Sequence, residues 1–199
     1  MCIRDSLEEV DKEISQESIL NFHLAHRTNP EFSFEPNKET PKLIWKYLST
    51  SNLLYNIKDI EITDIDKIST IEKETNEYPW SSNNFQSSME AGNSSIVLKN
   101  KKNILGYAFF SVIGTDSHLL NITVSKNYQG RGYGKKILEK VLFQSKILGA
   151  SIVFLEVRVS NYRAIDFYEK FGFKRDAIRY NYYDGSPNED ALLMSKQGL

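Results

Sequence analysis

Cysteine is nearly missing from this chain: Cys2 is the only one in 199 residues. One thiol excludes an intrachain disulfide framework and fits a reducing, cytoplasmic setting. An excess of charge is missing too. Twenty-five basic against 26 acidic side chains leave a formal net charge of −1. No basic field draws in nucleic acid, so no direct nucleic-acid partner is expected. No apolar run reaches membrane-spanning length and no signal-type apolar segment occurs, so no membrane partner is expected either. Histidine is scarce, with three copies. His23 and His26 stand at i, i+3 without a third ligand candidate nearby, so no metal site is expected. His118 falls in a polar turn. No G-x-S-x-G stretch or Ser–His–Asp arrangement suggests a covalent acyl-enzyme.

What is present is an ordinary globular composition, 40% hydrophobic and 26% charged. The opening "MCIRDS", residues 1–6, reads as the translation of a sequencing adaptor and is set aside from fold reasoning. Residues 7–56 form an N-terminal extension of uncertain origin. Ser6 and Glu9 make a capping-box pattern before Leu7, Val10 and Ile14, and "TNPEFSFEPNKETP" with its three prolines is a loop. From residue 57 to 199 the pattern is that of one domain. "NIKDIEI" alternates as a strand. Thr63 and Asp66 suggest a capping box before the stripe Ile65, Ile68, Ile71, and Ser81 or Ser82 caps a second helix through Met89. "SSIVLK" and "ILGYAFFSVI" read as a hairpin around "NKKN", followed by the strand "HLLNITV". A helix with Ile137, Leu138, Val141, Leu142 and Ile147 inward ends at Gly149. "SIVFLEVRV" is so continuously apolar that burial on both faces is expected. "NYRAIDFYEKFGF" is a helix closing at Gly172, and two strands near 174–183 and 190–196 complete a mixed α/β order.

The stretch "NYQGRGYGKK" sets three glycines at alternate positions just before a helix. Glycine allows positive φ and close backbone approach, and the free N–H groups of a helix start attract an anion. A pyrophosphate is the natural guest. The dinucleotide pattern G-x-G-x-x-G fails at Lys135. A Walker loop fails at Gln129 and Lys136.

Gln129-Gly130-Arg131-Gly132-Tyr133-Gly134 resembles the coenzyme A loop of the GNAT superfamily of acetyl-CoA-dependent N-acetyltransferases, and the element order from 57 to 199 matches. "YPWS" at 78–81, "LEVRVSN" at 155–161, "AIDFYEKFGF" at 164–173, "NYY" at 181–183 and "EDALLM" at 189–194 are similar to the bacterial ribosomal-protein alanine N-acetyltransferases. The resemblance implies a central, mostly antiparallel sheet with a splayed strand pair and flanking helices. It implies acetyl-CoA as donor and the N-terminal alanine of a small-subunit ribosomal protein as acceptor. Ile122, Thr123 and Val124 would meet the pantetheine arm. Gly130, Arg131, Gly132, Tyr133, Gly134 and Lys135 would hold the pyrophosphate, with Asn161 as a further cofactor contact that can also cap a helix. Glu156 would be the general base, unless it is a strand carboxylate paired with Arg158. Tyr168 would be the acid that protonates the thiolate, unless it is only a buried aromatic. Tyr180 and Tyr182, sharing a strand face opposite Tyr183, would line the peptide groove. Other protein N-termini or lysines as acceptors, or a silent acetyl-CoA-binding module, are the competing expectations.

Overall fold

The apolar runs become seven strands of a single sheet in the computed structural model, which describes residues 55–101, 103–185 and 187–199. The expectations for residues 1–6, for the extension as far as residue 54 and for His23 and His26 lie outside the described residues. In chain order the elements are β1 (Asn56–Asp59), α1 (Ile65–Thr75), α2 (Ser82–Glu90), β2 (Ser94–Lys99), β3 (Ile104–Ile113), β4 (Asp116–Val124), α3 (Tyr133–Ile147), β5 (Ile152–Arg158), α4 (Tyr162–Lys170), β6 (Lys174–Tyr183) and β7 (Glu189–Gln197). Their order across the sheet is β1-β2-β3-β4-β5-β7-β6, antiparallel throughout except for the parallel pair β4–β5.

Period-2 and period-3.6 patterns assign the faces. Ile137, Leu138 and Val141 of α3 and Ile165 and Tyr168 of α4 pack on Leu119, Val153, Leu155 and Val157 of the sheet. On the opposite face, α1 and α2 bring Ile65, Ile68, Ile71 and Phe85 onto Val97, Tyr107 and Phe109. Two cores therefore sandwich the sheet. β5 is less covered than expected: Val153, Leu155 and Val157 are buried, but Ile152, Phe154, Glu156 and Arg158 alternate with them and stay partly open. The cluster around α1 and α2 draws on β2 and β3, so one face of β5 keeps solvent access.

Local chemistry sets most boundaries. The Ser81 hydroxyl accepts from Asn84 N–H at 3.2 Å, and Asn161 Oδ1 accepts from Ala164 N–H at 3.1 Å, capping α2 and α4. The expected box at Thr63 and Asp66 is displaced: Glu61 and Asp64 make it, because a 3-10 turn, Ile62–Asp64, precedes α1. Gly149 and Gly172 end α3 and α4 with φ of 100° and 84°. Ile147 is 70% exposed rather than inward, since it sits in the last turn of α3, past the last buried position, Ser145. Among the described residues no helix is long and apolar enough to cross a membrane.

Candidate active site

The parallel pair β4–β5 holds register only from Asp116↔Ile152 to Leu119↔Leu155. Beyond it the strands part. A bulge helps: β3 faces β4 through Phe110↔Leu119 and then Phe109↔Asn121, leaving Leu120 as the extra residue. Ser125 N–H donates to the Leu105 carbonyl at 2.9 Å, on the β3 side. Strand alternation then turns the backbone groups of Ile122 and Val124 toward the gap. The Val124 carbonyl accepts there from Gln129 Nε2 at 3.1 Å, and Arg163 Nη1 donates to Gln129 Oε1 at 3.3 Å.

The glycine loop lies beside this gap. Gly130 and Gly132 have φ of 74° and 80°, a left-handed geometry that side chains resist. These two turns bring the start of α3 to the end of β4. Lys136 N–H donates to Gly132 O at 3.3 Å, so the N–H groups of Tyr133, Gly134 and Lys135 come before the first intrahelical donor and have no acceptor within the helix. These three residues line a cavity of about 780 Å³. Ile122, Thr123 and Val124 form one of its walls, Gly130, Gly132 and Gly134 its glycine side, and Asn161, Phe167 and Tyr168 another wall. Arg131 is placed differently, with its guanidinium 5.6 Å from the Tyr128 ring centroid. Lys135 lines the cavity and makes an open ion pair with Glu139 at 3.7 Å.

Tyr168 reaches the cavity from α4 and is 7% exposed. Burial first, and the nearby Tyr183 second, hold its phenol well above the ordinary tyrosine range, so it keeps its proton. Glu156 points the other way. Alternation along β5 sends it to the opposite face of the sheet, where it lines a second cavity of about 370 Å³ with His118, Asp176 and Arg179. Its ion-pair partner is Arg179, Nη1 to Oε1 at 3.3 Å, and not Arg158. Arg158 pairs with Glu189 at 2.9 Å. His118 lies within β4, not in a turn, stacked on Phe154 at 5.3 Å between ring centroids.

Tyr180 is 75% exposed, and Tyr182 carries the Arg179 guanidinium 4.8 Å above its ring. The simple alternation expected for these tyrosines breaks at Asn181, which has φ of 52° inside a register shift between Arg179 and Tyr183. Tyr183, expected on the strand face opposite Tyr180 and Tyr182, lies within electrostatic reach of both Tyr168 and Glu156. Burial first, then the neighbouring Tyr182 and Glu156, push its phenol up to about 12.

One group escaped the sequence reading. Glu72 of α1 is 1% exposed. It accepts from Asn76 Nδ2 at 2.6 Å, Asn121 Nδ2 at 2.9 Å, Thr123 Oγ1 at 3.2 Å, Trp80 N–H at 3.2 Å and the Tyr107 hydroxyl. Burial first, then Glu72, raises the Tyr107 pKa far above normal. This network fixes α1 and the turn after it to the part of β4 that borders the gap. The signal was a glutamate on the buried stripe of α1, four residues after Ile68.

The sheet parts between its two parallel strands, and the glycine-rich start of a helix stands beside the gap, the arrangement of an acyltransferase fold. The sequence pattern of the acetyltransferase (GNAT) family matches residues 60–173, and the chain belongs to that family and is an N-acetyltransferase. The [ribosomal protein bS18]-alanine N-acetyltransferase of Escherichia coli strain K12 is 33% identical over 140 residues, 70% of this chain and 95% of the relative. The crystal structure of the Escherichia coli ribosomal-protein-S18-alanine N-acetyltransferase superposes with a TM-score of 0.67 at 32% identity, covering 72% of this chain and 93% of that one. Arabidopsis thaliana Naa50, solved with the bisubstrate analogue CoA-Ac-MVNAL, shares the fold with a TM-score of 0.64 at 18% identity, over 73% and 99% of the two chains. The mixed α/β sheet expected from the sequence, with its splayed strands, is the fold found.

Proposed function

We propose that this chain transfers the acetyl group of acetyl-CoA to the N-terminal alanine of a small-subunit ribosomal protein. The single observation that carries the reading is the gap between β4 and β5, which has the glycine turn and Tyr168 on one face and Glu156 on the other. The similarity to the alanine N-acetyltransferase from Escherichia coli supports the choice of acceptor. A ribosomal acceptor sets the reaction in the cytoplasm.

The chemistry divides among this chain's groups. The amides of Gly130 to Lys135 hold the diphosphate. The gap-facing backbone of Ile122 and Val124 receives the pantetheine arm, beside Thr123 and Asn161. The acceptor amine enters from the Glu156 face, and the thioester sulfur lies toward Tyr168. A C–N bond forms as the C–S bond breaks. Glu156 takes the amine proton, directly or through a water, and Tyr168 gives its proton to the departing thiolate. A raised phenol pKa suits a group that must be protonated when the sulfur leaves. The α-amine helps, because its pKa of about 7.7–8.0 leaves about a tenth neutral at pH 7, whereas a lysine near 10.4 is almost wholly charged. Tyr180 and Tyr182, on the exposed strand β6, are proposed to meet the peptide after its first residue.

Mass spectrometry of intact small-subunit ribosomal proteins, incubated with the enzyme and acetyl-CoA, tests the reading. One acetyl group on one alanine N-terminus is expected; acetylated lysines, or no acetylation, would replace it. Glu156→Gln is expected to slow turnover by about 10²-fold or more, and Tyr168→Phe by at least about tenfold, both with acetyl-CoA affinity near wild type by calorimetry. Full turnover in either variant removes that residue's role.

A further inference from the structure

Arg158, the last residue of β5, has no part in the proposed proton transfers. Its guanidinium nonetheless has four partners. The Tyr78 ring centroid lies 4.1 Å from its Cζ, and the Tyr183 centroid lies 4.3 Å away. At its edge, Nη1 donates to Glu189 Oε2 at 2.9 Å, and Nη2 reaches the Asp184 carbonyl at 3.5 Å. Glu189 is fixed in turn by Ser160 N–H, which donates to its other oxygen at 2.9 Å. The arginine side chain is 21% exposed. A planar cation that meets two aromatic rings and, along its edge, a carboxylate acts as a clamp, and a lysine cannot reproduce that geometry.

The partners come from three separate segments. Tyr78 belongs to the turn between α1 and α2, Tyr183 ends β6, and Glu189 starts β7. The Glu72 network ties α1 and that turn to Asn121 and Thr123 of β4. Arg158 stands on β5, across the gap, on the same strand face as Glu156. The stack therefore bridges the gap on the side where Glu156 lies. Gly185 makes room for it: a Cβ there would fall 3.0 Å from the Tyr78 hydroxyl and 2.8 Å from the Pro187 carbonyl.

We propose that Arg158 is a positioning residue for the acceptor: it clamps Tyr78 against Tyr183, and the clamped rings form the outer wall of the opening through which an amino terminus reaches Glu156. The proposal rests on the acetyltransferase reading and adds what holds the acceptor side together. The glycine turn and α3 occupy the other face of the sheet, so releasing the clamp disturbs the acceptor and spares the cofactor.

The test compares the full chain with Arg158→Met, Arg158→Lys and Tyr78→Leu. Steady-state kinetics use an alanine-initiated peptide, calorimetry uses acetyl-CoA, and hydrogen exchange follows the backbone around Tyr78 and the start of β7. Arg158→Met is expected to raise the acceptor KM about tenfold or more, the scale of one or two lost cation–π contacts. Its acetyl-CoA Kd stays within about twofold, and exchange quickens at both segments. Arg158→Lys recovers part of the loss, and Tyr78→Leu moves KM in the same direction. Should Arg158→Met not fold, Tyr78→Leu decides, because it removes one ring and leaves the cation and its carboxylate. An unchanged acceptor KM, an equal rise in the acetyl-CoA Kd, or unchanged exchange around Tyr78 overturns the proposal. A wild-type enzyme that acetylates no amino terminus sinks the acceptor reading, while quickened exchange would still uphold the clamp.

Discussion

Glu72 collects its hydrogen bonds from neutral donors alone: two side-chain amides, two hydroxyls and one backbone N–H. Such an arrangement tolerates no exchange of acceptor for donor. Glu72→Gln keeps the shape but turns an NH2 group toward N–H and O–H groups. The expected cost is about 1–3 kcal/mol, read as a lower urea midpoint with an unchanged slope. An unaltered midpoint would mean that the network relaxes without loss. At this scale the sequence was legible where chemistry is local. Ser81 and Asn161 cap helices through atoms three residues away, so spacing alone reveals them. Glu72 could be suspected from its place on an apolar stripe, but Asn121 and Thr123 lie 49 and 51 residues on, and no periodicity names them. The stack on Arg158 has the same character: Glu189 is 31 residues distant in the chain.

Strands and helices were legible as elements because each carries its own period. Their pairing was not. The gap between β4 and β5 follows from a one-residue bulge at Leu120 and from a parallel register that stops at Leu119, and neither leaves a mark in hydrophobic alternation. Only the family resemblance suggested a splayed pair. Gly106 shows how tightly that region is built. A Cβ on it would lie 2.6 Å from the Thr123 carbonyl oxygen and 2.7 Å from Ile137 Cδ1. The carbonyl is backbone of the strand that borders the gap, so it cannot swing aside as a side chain would. Gly106→Ala is expected to cost about 1–3 kcal/mol in chemical denaturation and to weaken acetyl-CoA binding as β4 shifts. Gly134→Ala is the contrast. Its Cβ would meet only ordinary contacts, Val124 at 3.6 Å and Phe167 at 3.7 Å, in a helix where alanine is favoured. Stability is expected to hold or rise while acetyl-CoA affinity falls, because the added methyl enters the cavity wall. If both variants lose stability alike, close approach at Gly106 is not what sets that site.

Across the whole molecule, composition excluded much and assigned little. A net charge of −1 argued against a nucleic-acid surface, but nothing in it foretold that polar groups would be drawn into the interior around the gap. Three tyrosines there, Tyr107, Tyr168 and Tyr183, all have raised pKa values, burial being the first cause in each case. The sign of the consequence is fixed by linkage. Below pH about 10 these phenols are neutral in both folded and unfolded chains, and the stability they allow is present in full. Above it the unfolded chain releases protons that the folded chain retains, so stability falls as pH climbs from about 10 toward the folded values, about 12 for Tyr183. For the buried Tyr107 and Tyr168 the loss approaches about 1.4 kcal/mol per pH unit each. An absorbance titration of the phenols, run beside circular dichroism, reads this directly. The chain has 11 tyrosines, and the last three to ionise are expected to do so together with the collapse of the dichroism signal. A smooth titration of all of them in a chain that stays folded would show these phenols to be open to water, and Tyr168 would then lose the proton-holding environment that suits it to its proposed task.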